Sequence, residues 1–234
     1  MKPIPINVLI ILCLIPPQLA AAGMDDEPLI FQLKVDELET ADQGSAPLLW
    51  DMHAWVGSNL DRFWFKSEGE RQQGKTEDLE MQALYSKAIS AFWDLQTGLR
   101  HDAEAPWQKN WAVLGLQGLA PYFFEMEADL FLGEEGDVGL RLKAEYELLL
   151  GQRLILTPEI EMNFYPQDIP QMGLGSGLAD INAGLRLRYE IRREFAPYIG
   201  VNWQEKFAKT ADFASLVAEE ISQTRFVVGV RFWF

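Results

Sequence analysis

Charged side chains recur at every second position in several segments of this chain. Residues two apart on a β-strand point to the same side of a sheet, so each segment would present a row of charges on one face. These residues are Glu125, Glu127, Asp129, Arg141, Lys143, Glu145, Glu147, Glu159, Glu161, Arg186, Arg188, Arg225 and Arg231. Such a face suits a structural network of ion pairs between neighbouring strands, or a lining that conducts or binds cations. Both interpretations stay open at this point.

Metal ligands are the second kind of candidate. His53 and Asp51 are two residues apart and therefore share a face. Met24 and Met172 add thioether groups, which suit Cu(I). We treat these four residues as candidate metal ligands. The alternative for His53 is a polar interior residue without a metal, because the only other histidine, His101, does not complete a recognisable site with it.

Catalytic residues are harder to find. Ser86 and Ser176 are the candidate nucleophiles, but neither lies in a known nucleophile motif, and the sequence contains no Gly-rich phosphate loop. We therefore expect no enzymatic activity. A hydrolase of the outer membrane is the hypothesis that these serines keep open.

Strands must position these charges, because the dominant hydrophobic period from about residue 29 is two rather than 3.6. Segments of about ten residues with this alternation are typical of a membrane β-barrel. The final one places Phe226, Val228, Val230, Phe232 and Phe234 on one face and ends the chain. We predict twelve strands, at 29–38, 48–57, 60–68, 76–87, 90–100, 110–119, 122–132, 136–149, 153–164, 178–192, 195–204 and 223–234. The predicted fold is all-β, a closed antiparallel transmembrane β-barrel.

The connections between these segments alternate short and long, as expected for short periplasmic turns and longer external loops. With both termini in the periplasm, we expect external loops at 68–76, 101–110, 165–177 and 204–223, and only residues 133–136 as a short one. Pro158 lacks a backbone donor and predicts an irregularity in its strand. Aromatic residues near segment ends predict interfacial girdles: Trp50, Trp93, Trp111, Tyr122, Tyr189, Trp203 and Phe234.

The first 22 residues have the form of a secretory signal peptide, with a small-residue cleavage site ending at Ala22. We expect a short periplasmic segment at 23–28 and the barrel at 29–234. The only cysteine, Cys13, lies within the signal. The formal net charge of −15 disfavours nucleic acid as a partner. Outer-membrane lipid is the expected environment, in a Gram-negative bacterium, and we expect a monomeric barrel.

Several long strings resemble the copper resistance protein B family of outer-membrane proteins. They are residues 64–70 (WFKSEGE), 119–125 (LAPYFFE), 152–156 (QRLIL), 173–178 (GLGSGL), 184–200 (GLRLRYEIRREFAPYIG) and 224–234 (TRFVVGVRFWF). The resemblance implies a role in copper homeostasis or resistance, with the copper ion bound or passed, often alongside a periplasmic multicopper oxidase of the same system. Family members commonly have a long Met- and His-rich segment before the barrel. Here only residues 23–28 precede the first predicted strand.

Two functional hypotheses follow from the residues and the resemblance together. The first is an outer-membrane barrel of copper homeostasis that binds copper or lets it pass. The alternative is a small general or solute-specific porin in which the lumen charges set selectivity and copper is incidental.

Overall fold

The structure is a computed structural model that describes residues 28–42, 46–104 and 107–234. The predicted signal peptide, most of the segment 23–28 and Met24 lie outside the described residues. Twelve antiparallel strands form one sheet: β1 Ile30–Ala41, β2 Leu48–Gly57, β3 Asp61–Gln72, β4 Lys75–Ala88, β5 Trp93–Glu104, β6 Trp107–Ala120, β7 Phe124–Gly133, β8 Val138–Glu145 continued by Leu148–Leu149, β9 Leu154–Tyr165, β10 Gly177–Tyr189, β11 Phe195–Lys206 and β12 Ser222–Trp233. The predicted strand number is confirmed.

The sheet closes on itself because the first strand pairs with the last. Lys34 of β1 lies opposite Trp233 of β12, and Leu33 exchanges two backbone hydrogen bonds with Phe234, at 3.1 and 2.8 Å. Every strand thus has two neighbours. Closure leaves no unpaired sheet edge, which is required of a sheet that must satisfy its own backbone groups in lipid. The predicted closed barrel is therefore confirmed.

Alternation along the strands gives the barrel an apolar exterior. Phe63, Phe65, Leu99, Ile199 and Phe226 are all large, exposed and outward-facing. The residues between them point into the lumen, where most of the buried charged groups lie. The prediction that Trp111 belongs to an interfacial girdle is wrong. It points inward, is buried, and donates from Nε1 to Asp102 Oδ2 at 2.9 Å, because its register on β6 matches the inward face.

The two ends of the barrel differ. We call the end where β1 begins and β12 ends the terminal end, and the opposite one the distal end. Connections at the terminal end span residues 58–60, 89–92, 121–123, 150–153 and 190–194. Those at the distal end span 42–47, 73–74, 105–106, 134–137, 166–176 and 207–221. The two long distal connections contain a 3-10 turn, Pro170–Met172, and helix α1, Ala208–Leu216.

Two predicted external loops are wrong. Residues 68–76 and 101–110 are mostly strand, so that β3 and β4 meet at a tight turn through Gln73 and Gly74. Residues 133–136 are therefore not the only short distal connection. The charged ends of these strands remain paired with their neighbours beyond the apolar belt, which the hydrophobic pattern alone could not reveal. In the described ranges no helix is long and apolar enough to cross a membrane.

Two irregularities alter which side chains face inward. Between Val35 and Glu37 the register against β2 shifts by one residue, so Asp36 and Glu37 both face the lumen. Such an extra residue is a β-bulge. At Pro158 the strand β9 itself is continuous, but its neighbour β8 is interrupted opposite it, where the Tyr146 N–H donates to the Pro158 carbonyl at 3.1 Å. The irregularity expected from Pro158 thus falls on the partner strand.

An apolar row crosses the charged interior. Successive strand pairings link Trp64 to Leu84, and Val113 to Phe131, and the row ends at Tyr165 near the distal end. Gly139 keeps the space that Tyr165 fills, because a Cβ there would stand 2.8 Å from the Tyr165 ring. Ile169 and Ala179 join the same cluster from the distal connection 166–176 and strand β10. Apolar groups therefore fill part of the lumen at its distal end.

Candidate functional site

A cavity of about 620 Å³ occupies the remainder of the lumen. At the terminal end its walls include Ala91, Phe92 and Trp233, and its far wall includes Glu80 and Arg141. Residues from most of the barrel strands line it, which is why no single stretch of sequence defines it. Twelve acidic and eight basic side chains line this space, so its charge is negative overall.

Most of the side chains predicted to face the lumen do line this cavity. They are Glu125, Glu127, Asp129, Arg141, Lys143, Glu145, Glu159, Glu161, Arg186, Arg188, Arg231, Asp51 and His53. Glu147 and Arg225 also point inward but are engaged in ion pairs beside the cavity. Glu147 contacts Arg188 at 2.6 Å and Arg231 at 3.1 Å, and Arg225 contacts Glu70 at 2.8 Å.

A row of carboxylates on β1 to β5 was missed by the sequence analysis. The cross-strand register places Glu37 opposite Asp51, Asp51 opposite Glu68, Glu68 opposite Glu80, and Glu80 opposite Asp102. We call these five residues the acidic row. Like charges directly opposite each other repel, so the row is an unfavourable arrangement for the sheet alone. Acidic residues repeat at a spacing of two on β3, β4 and β5, and this signal could have been noticed.

Basic residues from the other side of the barrel neutralise much of the acidic row. Arg141 of β8 contacts Glu80 with two parallel hydrogen bonds of 3.0 Å, a bidentate arrangement that is among the strongest of ion pairs. Lys143 of β8 contacts Asp51 at 3.3 Å. These strands are not neighbours in the sheet, so the pairs span the lumen. They brace the barrel internally and partly fill it.

Glu68 differs from the rest of the acidic row. Glu37 is paired with Arg186 at 2.6 Å, and Asp102 with Arg100 at 2.7 Å. Within the described ranges Glu68 has neither a hydrogen-bond partner nor an ion-pair partner, and its side chain is exposed to the lumen. The centre of the row therefore holds a carboxylate that faces the cavity and has no ion-pair partner in direct contact among the described residues.

Arg186 is the most heavily engaged cation of the lumen. Its guanidinium contacts Glu37 at 2.6 Å, Glu39 at 3.2 Å and Glu159 at 3.5 Å, which come from both sides of the barrel closure. The Tyr198 hydroxyl donates to Glu39 at 2.9 Å. Glu39 is fully buried, so its charge depends on these two partners. One arginine thus holds three acidic side chains together.

His53 faces the cavity and is oriented by a carboxylate. Its Nδ1 lies 3.1 Å from Asp36 Oδ2, and its ring packs at a tilt against Trp64, with centroids 5.2 Å apart. If Nδ1 donates to Asp36, the Nε2 lone pair is left free for another ligand. The β-bulge at Asp36 creates this contact.

The four candidate metal ligands do not meet at one point. Asp51 contacts Lys143, whereas His53 contacts Asp36. Met172 packs against the apolar cluster from the distal connection. Met24 lies outside the described residues. No group of three or more His, Cys, Asp or Glu side chains suited to holding a metal occurs in the part of the chain that the structure describes.

The barrel architecture itself determines the cellular location. A closed barrel of twelve antiparallel strands with an apolar exterior spans a bilayer, and in bacteria barrels of this kind lie in the outer membrane. The chain is therefore an outer-membrane protein. Solved structures with a similar fold include the NanC porin (TM-score 0.55, 11% identity, 87% of this chain and 99% of that chain) and the KdgM porin (TM-score 0.51, 15% identity, 87% and 99%).

Sequence comparison identifies the relatives. A "Copper resistance protein B homolog" from Pseudomonas syringae pv. tomato is 48% identical over 198 residues, covering 85% of this chain and 67% of that protein. "Copper resistance protein B" from Escherichia coli is 45% identical over 213 residues, covering 91% and 72%. Residues 29–234 match the family described as "Copper resistance protein B precursor (CopB)". The family match spans the whole described barrel, and the chain belongs to the copper resistance protein B family.

Proposed function

We propose that this protein acts in copper homeostasis by admitting copper ions to the barrel lumen, with the terminal end facing the periplasm. The observation on which this proposal rests most is the excess of acidic over basic side chains around the cavity, twelve against eight. A negatively lined space with low-dielectric walls attracts cations and raises their local concentration. Copper is the cargo in this proposal, and membership of the copper resistance protein B family supports that choice.

His53 is the proposed contact for copper inside the lumen. Imidazole is a good ligand for copper, and a second-shell carboxylate such as Asp36 fixes the ring and its tautomer. Asp51 lies on the same strand and faces the same cavity. A single imidazole among scattered carboxylates would bind copper weakly and release it readily. This donor set suits passage better than storage.

The multicopper oxidase of the same system, which the family resemblance implies, is the proposed periplasmic partner. The cavity extends to the terminal end, so exchange of copper with such a partner would take place there. Catalysis by the barrel itself is not part of the proposal, since the Ser86 hydroxyl is buried and the Ser176 N–H donates to Asp168 within the distal connection.

A copper-tolerance assay tests the proposed function. A strain that lacks the gene is complemented with the wild-type chain, with His53→Ala, or with His101→Ala, which is a matched control because His101 is engaged by Asn110 on an exposed surface. We expect the wild type and His101→Ala to restore copper tolerance and cell copper content. We expect His53→Ala to restore less, and to lower the affinity of the purified barrel for copper by about tenfold or more. Unchanged tolerance and cell copper in the deletion strain would exclude the role.

A cation-selective porin is the second candidate. The negative lumen and the fold shared with two porins support it without any need for copper. Conductance of the purified barrel in planar bilayers, measured with and without copper, separates the two functions. We expect Glu68→Lys to reduce the preference for cations, because it replaces the unpaired carboxylate of the acidic row with a positive charge. An unaltered reversal potential would exclude Glu68 as a determinant of selectivity.

A further inference from the structure

The cavity stops short of the connection 166–176. Its lining includes Glu80, Arg141 and Glu161, but no residue of the connection 166–176, although all of that connection is described. The Arg100 and Arg141 guanidiniums stand over the Phe131 ring, with 4.4 and 5.6 Å to its centroid. Phe131 therefore lies between these two arginines and the apolar cluster that contains Ile169.

The connection 166–176 completes the distal closure from outside the strand wall. Ile169 is only 3% exposed and packs among inward-facing residues that include Phe131 and Tyr165. Met172 and Leu174 pack against the same cluster. A connection between two strands at a barrel rim would normally lie in solvent. This one instead inserts an apolar side chain into the end of the lumen.

Polar contacts with helix α1 and strand β8 also hold the connection in that position. Asp168 pairs with Lys209 of helix α1 at 2.7 Å, and the Gly175 N–H donates to Thr210 Oγ1 at 2.9 Å. Gln167 donates to the Val138 carbonyl at 2.9 Å. The Asp168–Lys209 pair is partly exposed, and such pairs hold weakly. The connection is thus held by apolar packing on inward-facing strand residues and by polar contacts made mostly with helix α1.

Three glycines follow Ile169 along the chain: Gly173 and Gly175 within the connection, and Gly177 as the first residue of β10. Gly173 and Gly177 have positive φ angles of 66° and 102°, and a Cβ at either position would meet nothing within 4 Å. Gly175, between them, is closely packed: a Cβ there would stand 2.4 Å from the Lys209 Cβ and 2.5 Å from the Thr210 nitrogen. Large φ and ψ changes at a few such residues are how hinged segments move.

We propose that the connection 166–176 is a gate, which closes the distal end of the lumen by inserting Ile169 and opens by lifting away from helix α1. The inference deepens the proposed function, because it names what regulates passage through the same lumen. In the closed form Gly175 is seated on α1 and Ile169 fills the apolar cluster. In the open form both contacts are lost while the strands stay paired.

Planar-bilayer recordings of the purified full barrel in potassium chloride without copper test the gate. Removing most of the Ile169 side chain with Ile169→Ala is expected to raise the open probability about tenfold, because loss of buried apolar area favours the open form. The matched control is Leu216→Ala, which removes an exposed apolar side chain from α1 at the same end of the barrel. It is expected to leave the open probability unchanged.

A charge exchange provides an independent test of the contact between the connection 166–176 and helix α1. Asp168→Lys places two positive charges together and is expected to raise the open probability about threefold, in line with a weak exposed pair. The double variant Asp168→Lys with Lys209→Asp is expected to restore closure in part, because it restores the ion pair but not the hydrogen bond that Asp168 accepts from the Ser176 N–H. Both variants leave the barrel strands unaltered, so a folding failure is distinguished by loss of the heat-modifiable electrophoretic form.

Three results would overturn the gate. The first is a wild-type barrel without closed periods, and the second is equal open probability in the wild type and Ile169→Ala. The third is an increase by Leu216→Ala as large as that by Ile169→Ala, which would indicate general loosening of the distal end. Because potassium carries the current, these outcomes do not depend on copper, and the copper-tolerance assay can fail or succeed separately.

Discussion

Removal of the Arg186 guanidinium should strongly destabilise the barrel. Arg186→Met keeps much of the side-chain volume but leaves Glu37, Glu39 and Glu159 without the cation that lies 2.6, 3.2 and 3.5 Å from them. The Arg186 side chain is only 10% exposed and that of Glu39 is 0%, so water screens this site little. Removing one partner of such a buried pair costs about 3–5 kcal/mol of unfolding free energy.

The assay is urea unfolding of the refolded barrel in lipid vesicles, followed by tryptophan fluorescence. With an m-value of roughly 2–3 kcal/mol/M, the expected loss lowers the urea midpoint by about 1–2 M. Arg225→Met is the matched control, because Arg225 has a single carboxylate partner, Glu70, at 2.8 Å, and both side chains are about one-fifth exposed. Its expected loss is about 1 kcal/mol or less.

A second substitution tests why Arg186→Met loses stability. In Arg186→Met with Glu39→Gln, one of the stranded charges is removed, so part of the lost stability should return. Lost packing of the arginine stem would not be recovered by this change. Two results would show that the lumen cations do not neutralise these carboxylates. The first is a loss of unfolding free energy in Arg186→Met no larger than that in Arg225→Met. The second is a further loss of unfolding free energy when Glu39→Gln is added to Arg186→Met.

Two further predictions concern one glycine and one exposed ion pair. Gly139→Ala should lower the unfolding free energy by about 1–3 kcal/mol, because its Cβ would stand 2.8 Å from the Tyr165 ring. Gly151→Ala is the control, because a Cβ at residue 151 would meet nothing within 4 Å. The urea midpoints of the two variants check this prediction. The hydrogen bond from Lys209, together with a backbone N–H, lowers the pKa of Asp168 from 3.8 to about 2. Its folded pKa is therefore depressed, so the closing contact should be complete above about pH 4 and be lost as the pH falls through about 2. The bilayer closing frequency from pH 7 to pH 2 checks this, and an unchanged closing frequency at pH 2 would contradict it.

Much of the barrel follows from local sequence. A period of two is set by the backbone of a single strand, so the inward positions of Glu127, Lys143 and Arg186 could be assigned without knowledge of any neighbour. The strand lengths could not be assigned from local sequence. Residues such as Glu70 and Asp78 are polar and lie beyond the apolar belt, yet they stay in the ladder because the neighbouring strand supplies their hydrogen bonds.

Trp111 shows the limit of reasoning from residue type. A tryptophan near a strand end suggests an interfacial anchor, but its side depends on the register of β6. That register points the ring inward, where Asp102 accepts its N–H. The same limit applies to His53. Its inward direction was evident, whereas the contact with Asp36 depends on a β-bulge that alternation does not predict.

The sequence by itself predicted an exported chain, and it determined twelve alternating strands with a charged inward face, because these properties of the strands depend on local periodicity and composition. Only the tertiary structure decided which acid meets which base, since pairs such as Arg141 with Glu80 join strands that are not neighbours. It also decided that the connection 166–176 enters the barrel. Both depend on the register at which the sheet closes, and a period of two specifies a face but not a register.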